Sequence, residues 1–426
     1  MYFCYMRNNK SVLWLTGWYP SSTHPDAGNF IVRHANAFVH SQVNRDQSLG
    51  LVLAHFPVYS FWRMLKYGKA VEKPMPLADL MEGAELLWSP VPQFGAGLLG
   101  RWVSYQYYKW RVARVLRRWV KDNGMPLGVH VHAADKVMRV VPGFLDYCLA
   151  AFGKRMPLWY TEHWAIFNDV VFDGFSKRNA VFRGDMIKMW SRVDVAAPVS
   201  LHSHAQMQRY LGGAKPFVLF PNVVDTKIFR RISGLEGAKG KGGFTFLHVS
   251  SLEPRKNVAG IVRAFAQLKL QFSGDALELR IVGGGSERFL SEARTVAVAL
   301  GLLHVVNPSV RFLGNLNSEA VAIEMQNADA LVLFSEMENA PCVISEALCC
   351  GLPVISSAVA GIPEMLNNDN GLMVDSGDEK GLVMAMEKAM GDSVTWDREK
   401  IAAAAQRIYG FDAVGEILNE SYRNLM

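Results

Sequence analysis

No apolar run in the 426-residue chain reaches transmembrane length, and its start, MYFCYMRNNK, lacks a signal-peptide core. These two absences lead us to expect a cytoplasmic protein. Five cysteines, an odd number without metal-ligand spacing, argue against a disulfide framework and against a zinc site. Nowhere are two aspartates separated by one residue, so the carboxylate pair that holds a metal–diphosphate is missing and no metal is expected. The glycine-rich stretch Ser233–Gly243 lacks the lysine–hydroxyl ending of a P-loop, and Gly283-Gly284-Gly285 is not spaced as a dinucleotide fingerprint. No RNA- or DNA-binding motif accompanies the basic residues, so nucleic acid is not an expected partner.

What is present suits two ordinary cores: 50% of the residues are hydrophobic, over a length typical of two domains. Charge is unevenly spread. Through Asp225 there are 26 Lys+Arg against 15 Asp+Glu; after it, 19 against 24. The first half therefore favours an anionic partner, such as a phospholipid surface or an anionic acceptor. Arg101–Lys121 holds no acidic residue at all. On a helical wheel Trp102, Tyr105, Tyr108, Val112, Val115, Leu116 and Trp119 share one arc, and Arg111, Arg114, Arg117, Arg118 and Lys121 the opposite one. A core helix with a solvated basic face is one reading; a basic edge against anionic headgroups or a lipid diphosphate is the other.

Strands are expected at Val12–Thr16, Leu49–His55, Val129–His132, Leu158–His163, Phe244–Val249, Leu277–Val282 and Ala328–Leu333, with helices between several of them. Such alternation predicts parallel sheets, with ligand loops at the carboxyl ends of the strands. Gly28 opens the first helix, and His163 emerges at a strand end. Pro57–Leu99 gives no clear pattern and is assigned to acceptor loops by elimination.

The stretch Phe334–Met365 carries the most chemistry. Glu338 precedes a helix expected over Pro341–Cys350, with proline at its first position and Gly351 ending it. Glu346 lies about a turn and a half inside. A helix N-terminus seats phosphate, and carboxylates on either side would accept hydrogen bonds from sugar hydroxyls. Spacing alone also allows a solvated Glu338 and a surface Glu346.

Glu338 and Glu346, then Ala347, Gly351-Leu352-Pro353-Val354 and Gly361-Ile362-Pro363-Glu364, resemble the signature of the family 4 retaining glycosyltransferases (glycosyl transferases group 1). Ala360 departs from it, standing where that family usually has a second glycine. The resemblance implies a GT-B fold, α/β, with two Rossmann-like domains facing each other across a cleft. It places an acceptor-side domain at 1–222, a nucleotide-sugar domain at 223–400 and helices crossing back at 401–426. It implies no cofactor, a nucleotide-diphosphate sugar donor and a glycan or lipid-linked acceptor in polysaccharide, lipopolysaccharide or other envelope glycan synthesis, with peripheral contact to an anionic membrane.

By the same resemblance His163, Lys256 and Glu338 are the catalytic candidates. Gly28, Arg255, Gly283, Gly284, Asn339, Ala340, Pro341, Cys342, Val343 and Glu346 are the donor-binding candidates. The family's arginine near Lys256 falls at Ser251, and Arg255 replaces it only if its side chain turns inward. Two alternatives remain open: a nucleotide-sugar epimerase of the same fold, and a non-enzymatic protein that binds nucleotide sugars or anionic glycans.

Overall fold

The computed structural model describes residues 10–21, 28–43, 49–60, 64, 84–95, 97–133, 136–168, 174–232, 234, 243–272, 276–284, 287–303, 309–391 and 393–425. The chain start, residues 22–27 of the first loop, most of the unpatterned 57–99 stretch, most of the 233–243 loop, Gly285 and Ser286 lie outside them. The chain divides into two compact units, Met1–Val223 with Phe411–Met426, and Val224–Gly410.

The first unit runs β1 (Ser11–Thr16), α1 (Asn29–Val43), β2 (Gly50–His55), β3 (Val58–Ser60), β4 (Ala84–Trp88), β5 (Val91–Gln93), α2 (Leu98–Asn123), β6 (Gly128–His132), α3 (Val141–Phe152), β7 (Leu158–Thr161), α4 (Ala180–Trp190), β8 (Val195–Ala196) and α5 (Leu201–Leu211). The second runs β9 (Gly243–Val249), α6 (Val258–Gln271), β10 (Ala276–Val282), α7 (Glu287–Ala299), β11 (Val310–Gly314), α8 (Ser318–Asn327), β12 (Ala330–Leu333), α9 (Cys342–Cys349), β13 (Val354–Ser357), β14 (Gly371–Val374), α10 (Glu379–Met390) and α11 (Arg398–Tyr409). The final helix, α12 (Phe411–Arg423), belongs to the first unit.

Each unit holds one six-stranded sheet, ordered β4-β2-β1-β6-β7-β8 and β11-β10-β9-β12-β13-β14. Every neighbouring pair is parallel. Counted along the main strands, both sheets read 3-2-1-4-5-6, the doubly wound order that binds ligands where the strand order reverses. Strands covered on both faces need unbroken apolar runs, which is why Val12-Leu13-Trp14-Leu15 and Ala330-Leu331-Val332-Leu333 are wholly buried.

The two terminal helices part at Gly410. α11 packs on α9 inside the second unit, and α12 lies along α1 in the first. Gly415 allows that close approach, because a Cβ there would collide with the Ala37 carbonyl oxygen. In α2 the arc expected to be apolar is buried at Tyr108, Val112, Leu116 and Trp119, but Trp102 is 60% exposed.

Candidate functional site

In the second unit the order reverses between β9 and β12, and the loops after these strands carry Lys256 and Glu338. His248 holds the two strands together from inside β9. Its Nδ1 donates to the Val332 carbonyl at 2.9 Å, which leaves Nε2 to accept from the Ser250 hydroxyl at 2.7 Å. Burial outweighs that backbone bond and lowers the His248 pKa to about 4, so the ring is neutral. Ser250 Oγ in turn accepts from the Leu252 amide at 3.0 Å, and Leu252 takes a left-handed φ of 55°. The chain then folds back through the single turn Pro254–Lys256, and the Glu336 amide donates to the Arg255 carbonyl at 2.8 Å. The two loops are thereby fixed to each other.

Their side chains meet. Lys256 Nζ donates to Glu338 Oε1 at 2.5 Å, with the two residues only 8% and 5% exposed. Ser335 Oγ donates to the same oxygen at 2.8 Å. Arg255 does turn inward: a guanidinium nitrogen lies 3.7 Å from Glu338 Oε2, and its Nε donates to Glu253 Oε2 at 2.6 Å. Ser251 is exposed and offers no charge, so the second cation of this site is Arg255. Lys256 and Arg255 thus face Glu338 and Glu253, two cations against two carboxylates, beside the loop 339–341.

That loop ends at α9. The helix spans Cys342–Cys349, so Pro341 is its N-cap rather than its first residue, one position later than the sequence suggests. Its N-cap, Pro341, has no side-chain donor or acceptor to cap it with, and the N-terminal turn, Cys342 and Val343 first, carries the helix's partial positive charge. Glu346 lies a turn further on and is 9% exposed. The helix ends as expected: Gly351 has φ 71°, its amide donates to Leu348 O at 2.9 Å and that of Leu352 to Ala347 O at 2.9 Å. Beyond β13, the turn through Ala360 returns to the loop, where the Gly361 amide donates to Asn339 O at 3.0 Å. Ala360 has φ 50°, a conformation that suits glycine. Gly283 and Gly284 close the same edge after β10. A Cβ on Gly283 would collide with the Ser250 carbonyl, so this turn lies directly against the one leading to Lys256.

The equivalent point of the first unit, between β1 and β6, has no ion pair among the described residues. It holds imidazoles. His132 ends β6, and its Nδ1 lies 3.2 Å from His163 Nε2, the rings stacked with centroids 5.6 Å apart. His130 lies behind, its ring 4.0 Å from that of His132, bonded to Tyr422 Oη (2.5 Å) and Thr161 Oγ1 (2.8 Å). His34 faces the Phe30 and Pro221 carbonyls at 2.7 and 3.0 Å. Burial lowers all four pKa values, that of His34 to about 4 against the pull of its two backbone bonds. Glu162, next to His163 in the chain, accepts from Tyr160 Oη at 2.6 Å and from the Trp164 amide at 2.9 Å, which fixes the turn that carries the histidine. Gly28 (φ 76°) starts α1 close by, and Phe30 of that helix lies against the His163 ring at 4.4 Å. Among the described residues no three His, Cys, Asp or Glu converge in metal-binding geometry.

The basic arc stays on the surface of α2. Arg114, Arg117, Arg118 and Lys121 are exposed, while Arg111 is half-buried. Arg114 covers the Trp110 ring at 5.3 Å, and Arg118 meets Asp122 at 3.7 Å. Among the described residues no helix is long and apolar enough to cross a membrane. The sequence reading missed Ser335, His248 and Ser250. The one available signal was a histidine and a serine at the end of an otherwise apolar strand, Phe244–Val249.

Residues 236–408 match the model of the family described as glycosyl transferases group 1. The chain is 32% identical over 137 residues to the N-acetyl-alpha-D-glucosaminyl L-malate synthase of Bacillus anthracis, covering 32% of this chain and 33% of that protein. It is 26% identical over 258 residues to the GDP-mannose-dependent monoacylated alpha-(1-6)-phosphatidylinositol monomannoside mannosyltransferase of Corynebacterium glutamicum, covering 57% and 65%. The matches thus span between a third and two thirds of these relatives' lengths. The structure of sucrose-phosphate synthase from Thermosynechococcus elongatus superposes with a TM-score of 0.70 at 17% identity, covering 97% of this chain and 99% of that one. That likeness concerns the fold, which is GT-B.

Proposed function

We propose that the chain is a member of the glycosyl transferases group 1 family, whose model matches residues 236–408, and that it is a retaining glycosyltransferase, moving a sugar from a nucleotide-diphosphate sugar to an acceptor hydroxyl. The observation that carries the reading is the Lys256–Glu338 pair, 2.5 Å apart and buried at the switch point beside the N-terminus of α9. The amides of Cys342 and Val343 seat the diphosphate, with Asn339, Ala340 and Pro341 shaping the approach, and Glu346 accepts from the ribose hydroxyls. Gly283 and Gly284 let the backbone come close to the nucleotide.

The acceptor oxygen bonds to the anomeric carbon on the face that the diphosphate leaves. The carbon–phosphate-oxygen bond breaks, and the acceptor proton passes to a donor phosphate oxygen. Lys256 and Arg255 offset the charge that grows on the leaving group, so the protein supplies cations of its own for this step. Glu338 holds Lys256 in place and faces the transferred sugar. His163, kept neutral by burial, is the first unit's contribution to the reacting sugar and phosphate.

The test is a screen of nucleotide sugars for protection against thermal unfolding and for transfer or slow donor hydrolysis, with the product's anomeric configuration read by NMR. Inversion of configuration, or epimer formation from donor alone, would replace this reading with another enzyme. We assign the acceptor to envelope glycan synthesis at the cytoplasmic face of a membrane, the basic arc of α2 resting on anionic lipid. Each such cation near the surface contributes about 1 kcal/mol, screened by salt. Co-sedimentation with anionic but not neutral vesicles at low salt, lost when Arg114, Arg117, Arg118 and Lys121 become glutamine, is the expected result.

A further inference from the structure

The first unit has a cavity of about 760 Å³, apart from its histidines, walled by β3, β5, the first turns of α2, the turn 136–139 and the start of α4. Its wall is fixed in place. Ser104 Oγ accepts from the Phe94 amide at 2.8 Å and donates to the Gly100 carbonyl at 2.6 Å, pinning α2 to the end of β5. Gly100 permits this contact, since a Cβ there would strike the Phe94 carbonyl. Deeper in, Asp185 accepts from Tyr105 Oη at 3.2 Å and pairs with Arg139 at 3.3 Å, while the Arg139 guanidinium covers the Tyr105 ring at 4.6 Å.

This carboxylate is therefore occupied. Two further cations line the cavity, Arg101 and Lys136, and neither forms an ion pair with any described residue. Arg101 is exposed and Lys136 half-buried. On the same helix face as Arg101 the lining is apolar and open to water: Leu98 is 82% exposed, and Trp102, with Val181 of α4, also lines the cavity while exposed. Cations without an ion-pair partner, set beside exposed apolar side chains, fit a ligand with an anionic head and a hydrocarbon tail. A purely apolar ligand would leave the cations unused, and a free anion would leave the apolar lining bare.

We infer that this cavity is the acceptor's seat, and that the acceptor is a phosphate-bearing lipid whose phosphate meets Arg101 and Lys136 while its chain leaves along Leu98 and Trp102. The inference rests on the transferase reading, which requires an acceptor site but does not identify one. The cavity lies at the carboxyl ends of the first unit's strands, since β3 follows β2, β5 follows β4 and the turn 136–139 follows β6. That is the edge where sheets of this order bind their ligands.

The test is calorimetric titration of the full chain with farnesyl phosphate, farnesol and inorganic phosphate, each below its aggregation limit. Farnesyl phosphate should bind at least tenfold more tightly than either fragment. Arg101→Gln and Lys136→Gln should each weaken it fivefold or more, Trp102→Ala should weaken farnesyl phosphate alone, and the distant exposed Lys154→Gln should change nothing. Far-ultraviolet dichroism and the melting temperature verify that each variant is folded. Equal binding of farnesol, equal binding of inorganic phosphate, or insensitivity to both cation substitutions would overturn the inference. Nucleotide binding is titrated in parallel. Donor nucleotide bound without farnesyl phosphate defeats this inference alone, whereas farnesyl phosphate bound without any nucleotide defeats the transferase reading and leaves the lipid-phosphate site standing.

Discussion

The two units share a strand order and a reversal point but differ in what they place there. In the second, a lysine, an arginine and a glutamate meet at the ends of β9 and β12. In the first, four neutral imidazoles stack around the ends of β1 and β6. Doubly wound topology thus fixes where a ligand is handled but not how. One switch point is built of charged side chains, which under the proposed function would meet a diphosphate. The other presents hydrogen-bonding groups without net charge, suited to sugar hydroxyls.

The largest effect should come from removing the charge. Lys256→Ala is expected to lower kcat by roughly 10²–10³, the usual loss for one preorganised group facing developing charge, with a smaller change in KM. Arg255→Ala should cost less, because its side chain is more exposed and shared with Glu253. Steady-state kinetics on both variants decide the matter: a loss confined to KM would mean that Lys256 binds ground and transition states alike.

Acid should break the other unit first. His34, His130, His132 and His163 have folded pKa values below the unfolded value of about 6.5. Between those values the unfolded chain binds more protons, so their contribution is fully present above pH 6.5 and is lost as pH falls toward the folded values. For His34, at about 4, the loss approaches roughly 3 kcal/mol. The second unit has a single counterpart among the described residues, His248. Hydrogen exchange at pH 5 against pH 7 should show β6, β7 and α1 losing protection before β9 and β12. The reverse order would refute the assignment.

The histidine cluster also marks the limit of what the sequence discloses. Strands, parallel order and the Glu338–Glu346 stretch were legible because buried strands need apolar runs and helix ends need proline and glycine. His163 was legible from its place after a strand. His130 and His132 look like ordinary strand residues, and His34 like a helix-surface one. Their meeting depends on strand pairing across intervals of 31 residues and on α1 packing, which local pattern does not encode. Arg255 was ambiguous because its side chain lies between Glu253, two residues away, and Glu338, 83 residues away, and only the second contact is hidden from local pattern. The exposure of Trp102 ran against helical periodicity because periodicity shows which residues share a face, not how much of that face is covered.

A smaller loss is expected from Glu346→Ala. A charged acceptor of ribose hydroxyls is worth roughly 1.5–3 kcal/mol, so donor affinity should fall by roughly 10- to 100-fold while the melting temperature of the free protein changes little. Unchanged donor affinity in calorimetry would take Glu346 out of the site and leave the second unit's charge without a ribose anchor.

The smallest effect, and the one of opposite sign, concerns the turn behind the donor loop. Ala360 holds φ 50°, where an L side chain costs roughly 1–2 kcal/mol. Glycine would relieve that strain but adds freedom to the unfolded chain, worth about 0.4–1 kcal/mol against it. The net gain for Ala360→Gly should therefore lie between roughly zero and 1.6 kcal/mol, read as a slight rise in the second unit's melting temperature. The strain has a position as well as a size. The next amide, that of Gly361, holds the Asn339 carbonyl at 3.0 Å, so the alanine stiffens the turn on which the diphosphate loop rests. A looser turn should speed exchange of the 339–341 amides and slightly weaken donor binding even as the fold gains stability. If stability falls instead, the left-handed alanine is not strained, and the turn is held by contacts that outweigh its backbone preference.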